Sequence, residues 1–183
     1  MNVKAIVIGS PCVGKTMFLN CIRNYRMKNG DYIPTIGVDF HIYRCLAPPV
    51  NIQIWDTSGS DRFKMVVESF LKGIDLCIFV YKDKRSFNSM MDLVADVQEK
   101  KRGKRFCVLS TGDSPDLGRQ LATQYGYLFF QVDVRNEPEC INTLNKIALF
   151  SHNEQQRTNF LEEKTLEIES EIIERFHCWF PFC

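Results

Sequence analysis

The sequence predicts an α/β fold: a mostly parallel six-stranded sheet with helices on both faces and one antiparallel edge strand. Three observations carry that expectation. Short apolar or β-branched runs alternate along the chain with segments of helical spacing. Most of these runs are too apolar to leave one face wet, as expected of strands sandwiched between helix layers. Finally, Gly9-Ser10-Pro11-Cys12-Val13-Gly14-Lys15-Thr16 stands between the first run and the first helical segment, the place of a phosphate-binding loop.

Taken in order, the strand-like runs fall at 3–8, 37–46, 50–55, 75–81, 105–109 and 127–132. Helical patterns fall at Met17–Asn24, about 63–72, Ser86–Lys101, Leu117–Tyr125 and Glu139–Phe150. The second and third runs are joined through Ala47-Pro48-Pro49 and read as an antiparallel hairpin. From about Ser151 the texture changes. Residues 151–175 are rich in Glu and lack Gly and Pro, with apolar side chains at Phe160, Leu161, Leu166, Ile168, Ile172 and Ile173. Two readings stand open: a helix continuing the last one outward, or a partly ordered surface tail. The expected division is a domain at 1–150 and an acidic extension with a cysteine-containing tail at 151–183.

Composition bounds the function. A chain of 183 residues is one domain with room for a sizeable core. With 45% hydrophobic residues, 25% charged residues and a net charge of +1, nothing argues for a nucleic-acid partner. The eight cysteines do not form a disulfide framework. Cys77 and Cys107 lie inside apolar runs and no metal-ligand spacing is present, so free buried thiols in a reducing compartment are expected. No stretch approaches the roughly 18 apolar residues of a membrane span. The N-terminal apolar run leads into a loop rather than a cleavage site, so no signal peptide is expected and the chain reads as cytosolic.

The loop at 9–16 has a direct chemical logic. Successive backbone N–H groups wrap a phosphate, and the following helix adds a favourable dipole. Lys15 brings a point charge to the outer phosphates, and the Thr16 hydroxyl is a hard oxygen suited to Mg²⁺. Asp56 ends a buried strand, where a carboxylate behind a magnesium ion belongs, and Gly59 lets a backbone N–H approach a terminal phosphate.

Tyr-Ile-Pro-Thr-Ile-Gly-Val-Asp-Phe at 32–40 and Gln-Ile-Trp-Asp-Thr-Ser-Gly-Ser-Asp-Arg-Phe at 53–63 resemble the two switches of the Rab-type small GTPases of the Ras superfamily. The likeness continues through Phe70-Leu71-Lys72-Gly73, LCIFVY and Gly118-Arg119-Gln120-Leu121-Ala122 to about Phe150, densely to residue 81 and thinly after it. It implies a P-loop NTPase small G-domain that binds GTP or GDP with Mg²⁺. Ser10, Pro11, Cys12, Val13, Gly14, Lys15, Thr16 and Met17 would line the nucleotide. Thr16, Thr35 and Asp56 would serve the metal, and Lys15 and Thr35 would act on the terminal phosphate. Segments 32–40 and 57–72 would be ordered by GTP and released without its last phosphate. Ile36, Gly37, Phe40, Trp55, Phe63 and Phe70 would meet effector and regulatory proteins. For the trio Phe40, Trp55 and Phe70, plain core packing is the alternative.

Four departures qualify the resemblance. Ser60 stands where Rab proteins keep the glutamine that orients the attacking water. Serine is too short for that, and Asp61 adds negative charge beside it, so slow hydrolysis is expected. Base recognition is altered too: Ser110-Thr111-Gly112-Asp113-Ser114-Pro115-Asp116 replaces the Asn-Lys-x-Asp element. Asp113 and Asp116 are both candidates for the base-facing carboxylate, and Asp133, Val134 and Arg135 stand at the later Ser-Ala-Lys element. Cys12 replaces a usual glycine, which suggests weaker binding or faster exchange. The chain ends with Cys178 and Cys183, which points to lipid attachment but without the usual paired ending; an unmodified apolar tail is the alternative.

The resulting expectation is a monomeric GTP-binding switch in membrane and vesicle traffic. It would work in the cytoplasm and reversibly at the cytosolic face of membranes. The competing expectation is a pseudo-GTPase, a binding module without a nucleotide cycle. A nucleotide kinase or ATPase lacks support, since there is no arginine-rich lid segment.

Overall fold

A computed structural model describes residues 1–23, 33–60, 62, 65, 69–71, 73–100 and 105–179, without the side chains of 96, 99, 100, 161–163 and 165–179. Six strands form one sheet: β1 (Asn2–Ile8), β2 (Val38–Cys45), β3 (Val50–Thr57), β4 (Leu76–Tyr81), β5 (Arg105–Ser110) and β6 (Leu128–Gln131). Their order is β2-β3-β1-β4-β5-β6. All neighbours are parallel except β2 and β3, which pair antiparallel with Phe40 opposite Trp55 and Asp39 opposite Asp56. This is the expected sheet, with the antiparallel strand at its edge.

The helices are α1 (Lys15–Asn20), continued by a 3₁₀ turn at Cys21–Arg23, then α2 (Lys84–Lys100), α3 (Pro115–Tyr125) and α4 (Glu137–Trp179). The first helical segment starts at Lys15, two residues before the sequence expectation, because Gly14 caps it in a left-handed conformation and accepts its first bond from Phe18 N. The helical pattern expected at about 63–72 lies largely outside the described residues, as do Asp61, Phe63, Lys72 and Cys183.

Alternation along the strands divides the core between the two sheet faces. Val3, Ala5 and Val7 of β1 meet Phe18 and Leu19 of α1 and Leu144 and Ile147 of α4 on one face. Ile6 and Ile8 meet Met90, Val94 and Val97 of α2 and Leu121 of α3 on the other. Every residue of the central strand β4 is buried, whereas edge strand β2 buries His41, Tyr43 and Cys45 and exposes Phe40, Ile42 and Arg44. The hairpin is tied to α4 by Tyr43, whose hydroxyl donates to Asn145 Oδ1 at 2.6 Å.

Helix α4 runs unbroken well past residue 150. Arg105 holds it at the domain edge, donating to the Ser151 carbonyl at 2.9 Å and to Gln155 Oε1 at 3.0 Å. Beyond that clamp, side chains 156–160 are exposed. The side chains of six cysteines are described; none is in a disulfide, and all but Cys12 are buried.

Candidate functional site

In a parallel sheet the carboxyl ends of the strands carry the loops that meet a ligand, most readily where the strand order reverses. Here the order reverses around β1, and the 9–16 loop leaves its carboxyl end. The turn is tight. A Cβ on Gly9 would stand 2.1 Å from the Val80 carbonyl oxygen, so only glycine fits there. Gly14 and Cys12 both have positive φ, 95° and 61°. Glycine adopts that region freely and cysteine does not.

Lys15 is buried, and its ammonium donates to the carbonyls of Gly9 and Ser10, both at 2.8 Å. Burial pushes its pKa down to about 8, while Asp56 and then Cys12 pull it upward. Asp56, fully buried at the β3 end, accepts the Thr16 hydroxyl at 2.6 Å on Oδ2. Thr35 joins them: its Oγ1 lies 2.8 Å from Thr16 Oγ1 and donates to Asp56 Oδ2 at 3.5 Å. Burial raises the Asp56 pKa, and the Thr16 hydrogen bond and the Lys15 charge oppose that rise. Asp56 Oδ1 is buried without a hydrogen-bond partner among the described residues. Two threonine hydroxyls and an orphaned carboxylate oxygen are a hard-oxygen set, the donor chemistry that Mg²⁺ takes.

Gly59 lies directly on the loop, where a Cβ would fall 2.4 Å from Pro11 N and Ser10 C. Ser60 follows it, half-buried, with its amide donating to Ser58 Oγ at 3.3 Å. Ser58 N donates to the Gly37 carbonyl at 2.8 Å, which joins the segments carrying Thr35 and Ser60. Pro11, Cys12 and Met17 are exposed around the loop, and Val13 is buried beneath it.

The residues expected on the base side follow β5 and β6. Asp113 and Asp116 are both exposed, Asp116 in the first turn of α3. Arg135 occupies Asp133 through its backbone N–H at 3.0 Å and its Nε at 3.1 Å, which holds that carboxyl below its usual range. The Val134 side chain stands 3.5 Å from where a Gly14 Cβ would be. Sequence reasoning passed over Thr111, whose hydroxyl donates to the Val13 carbonyl at 2.6 Å and so fastens the loop after β5 to the 9–16 loop. Its signal was position alone: the first residue past β5 on the ligand side of the sheet. A second omission is Tyr81, whose hydroxyl accepts from Gly118 N at 2.9 Å and donates to the Ser114 carbonyl at 2.8 Å, setting the start of α3.

On the outer surface, Ile36 is 80% and Phe40 45% exposed. The Phe40 and Trp55 rings pack 5.2 Å apart. Trp55 and Phe70 are half-buried against the core on the α2 and α3 face. The trio is thus divided between packing and surface rather than wholly one or the other.

A model of the Ras family matches residues 4–148. The chain belongs to the Ras family. Several of its relatives within the family are of the Rab type. Ras-related protein Rab7 of Drosophila melanogaster is 39% identical over 93 residues, 50% of this chain and 44% of that protein. Ras-related protein Rab-3 of Caenorhabditis elegans is 29% identical over 147 residues, 72% of this chain and 66% of that protein. Human EF-hand calcium-binding domain-containing protein 4B is 29% identical over 179 residues, 90% of this chain but 24% of that protein. This Ras-family chain therefore spans less than half the length of Rab7 and of the EF-hand protein. No described helix is long and apolar enough to cross a membrane.

Proposed function

We propose that this Ras-family protein is a Rab-like switch in membrane and vesicle traffic that binds GTP and GDP with Mg²⁺ and hydrolyses GTP slowly. The observation that carries the reading is the meeting of Thr16, Thr35 and Asp56 beside the buried Lys15. These residues come from α1, from the segment before β2 and from the end of β3, so their convergence belongs to the fold rather than to one local motif.

Phosphate oxygens take the place of carbonyl acceptors around Lys15, which stays protonated against them. Mg²⁺, held through Thr16 and Thr35 with Asp56 behind, would neutralise phosphate charge when bound. Thr35 reports the nucleotide state, because the segment from 33 to 37 is tied to the site through its hydroxyl and to the second switch through Gly37. Loss of the terminal phosphate removes part of what orders that segment. Ser60 supports slow hydrolysis, since its side chain ends at Cβ–Oγ and cannot span to a water in line with the phosphate. Phe40, Ile36 and Trp55 offer effectors and regulators an apolar patch on the switch segments. Lipid on Cys183 or Cys178 would supply the membrane contact, and mass spectrometry of protein from its native cell tests that part alone.

The decisive experiment is the nucleotide content of freshly purified protein, released by denaturation and identified by chromatography. GTP predominating over GDP is the expected result. Empty protein that also refuses added Mg²⁺·GTP would overturn the switch and leave the pseudo-GTPase.

A further inference from the structure

We propose that β2 pairs antiparallel with β2 of a second copy of this chain, joining the two sheets across a two-fold axis at Ile42. The interface lies outside the nucleotide site and does not rest on the nucleotide reading. β2 is the end strand of the sheet, and no described strand pairs with its outer edge. The direction of its backbone groups follows from one bond. Ser58 N donates to the Gly37 carbonyl, so along the antiparallel ladder residues 39, 41, 43 and 45 turn their N–H and C=O groups toward β3. Those of 38, 40, 42 and 44 therefore point outward. Phe40 agrees with this alternation, since its N–H donates to Asp39 Oδ1 at 2.8 Å rather than to β3.

An open edge by itself fits any extended chain. The side chains select the occupant. Residues 38, 40, 42, 44 and 46 share the outer face: Val38 is half-buried, and Phe40, Ile42, Arg44 and Leu46 are exposed. Ile42 keeps 43% and Leu46 90% of its surface in solvent. Paired with its own copy about Ile42, this row is self-complementary. Ile42 meets Ile42, Leu46 meets Val38, and the Arg44 guanidinium of one copy lies over the Phe40 ring of the other. The Asp39 carboxylate, which reaches the edge at the Phe40 N–H, stands beside the same arriving Arg44. Opposite charges therefore meet where an acidic edge facing another acidic edge would repel.

The backbone supports the same register. Ile42 exchanges its N–H and carbonyl with Ile42 of the second copy, and Phe40 does so with Arg44, because all of these groups point outward. Moving the axis one residue pair along, to His41, sets His41 against His41 and Arg44 against Val38. That register loses both the guanidinium–ring contact and the central Ile42 pair, so side-chain pairing fixes the axis at Ile42. The pairing covers Phe40, which the proposed effector patch also uses. One chain therefore cannot make both contacts at once.

The test measures the mass of the full-length protein by sedimentation over a wide range of concentrations. A single strand pair is a small interface, so the dimer should grow in at the upper concentrations and dissociate on dilution. Ile42→Lys sets two like charges directly opposite each other at the axis and should weaken dimerisation at least about tenfold. Its circular dichroism and melting should match the unaltered protein, since residue 42 is exposed. Ile42→Cys should cross-link to its own copy under mild oxidation, because a bonded antiparallel pair holds its Cα atoms about 5.5 Å apart, within disulfide reach. Peptide mapping should then find residue 42 joined to residue 42. A protein that stays monomeric at every concentration, a dimer that survives Ile42→Lys unchanged, or cross-links that run through Cys12 instead would each overturn the proposal. The cross-link decides this even where Ile42→Lys disturbs the fold.

Discussion

Thr16 donates its hydroxyl to Asp56 across 2.6 Å, joining the first helix to the far end of β3. That contact sets the polar floor of the site, and it leaves Asp56 Oδ1 without a partner among the described residues. Changing Asp56→Asn keeps the shape and removes the charge. We expect affinity for GTP in the presence of Mg²⁺ to fall about 10–100-fold, as for lost metal-orienting groups generally. Affinity measured in excess chelator should change much less. Equal losses in both conditions would remove the metal from this account.

Ser60 offers the clearest kinetic test. A Ser60→Gln variant should raise the single-turnover rate of GTP hydrolysis by at least about tenfold, because a longer amide can hold the attacking water. Phosphate release from preloaded protein measures it. An unchanged rate would mean that water is positioned by some other group.

Cys12 holds φ at 61° without the freedom of glycine. Relieving that conformation with Cys12→Gly should stabilise the fold by about 1 kcal/mol, part of the gain being offset by the looser denatured chain. Denaturant unfolding gives the first number. Nucleotide dissociation should also slow, and equal off-rates would separate backbone strain from exchange.

Lys15 predicts two pH effects of opposite sign. In the free protein burial lowers its pKa from 10.5 to about 8. Between those values the unfolded chain carries the proton more often than the folded one, so folding stability should rise with pH. Nucleotide binding needs the protonated form. Affinity should therefore hold level below pH 8 and fall above it, by at most about tenfold per pH unit, as binding takes up a proton. Calorimetry in buffers of different ionisation enthalpy reads that uptake directly, and its absence at pH 9 would contradict the assignment.

Much of the fold was legible in the sequence because its signals are local. The β4 run is apolar throughout, β5 is apolar between Arg105 and Ser110, and β2 alternates, so their places in the middle and at the edge of the sheet follow from which faces must avoid water. The 9–16 loop was legible because its glycines and Lys15 match a motif whose residue types and spacing are fixed. Thr111 and Tyr81 were not, because a hydroxyl that fastens one loop to another has no periodicity and no fixed spacing from its partner. Whether Phe40, Trp55 and Phe70 packed inward or outward was equally hidden, since an aromatic residue suits both.

By itself the sequence determined the strand order of events along the chain, the phosphate loop, the loss of the glutamine at Ser60 and the loss of glycine at Cys12. Each is written in residue identity or short-range pattern. Only the tertiary structure decided that Thr16, Thr35 and Asp56 share one small volume and that Arg135 turns back onto Asp133. It also decided that Arg105 clamps α4 at Ser151. The reason is physical: contacts between residues far apart in sequence exist only once the sheet has brought its strand ends together, and burial then sets their charges.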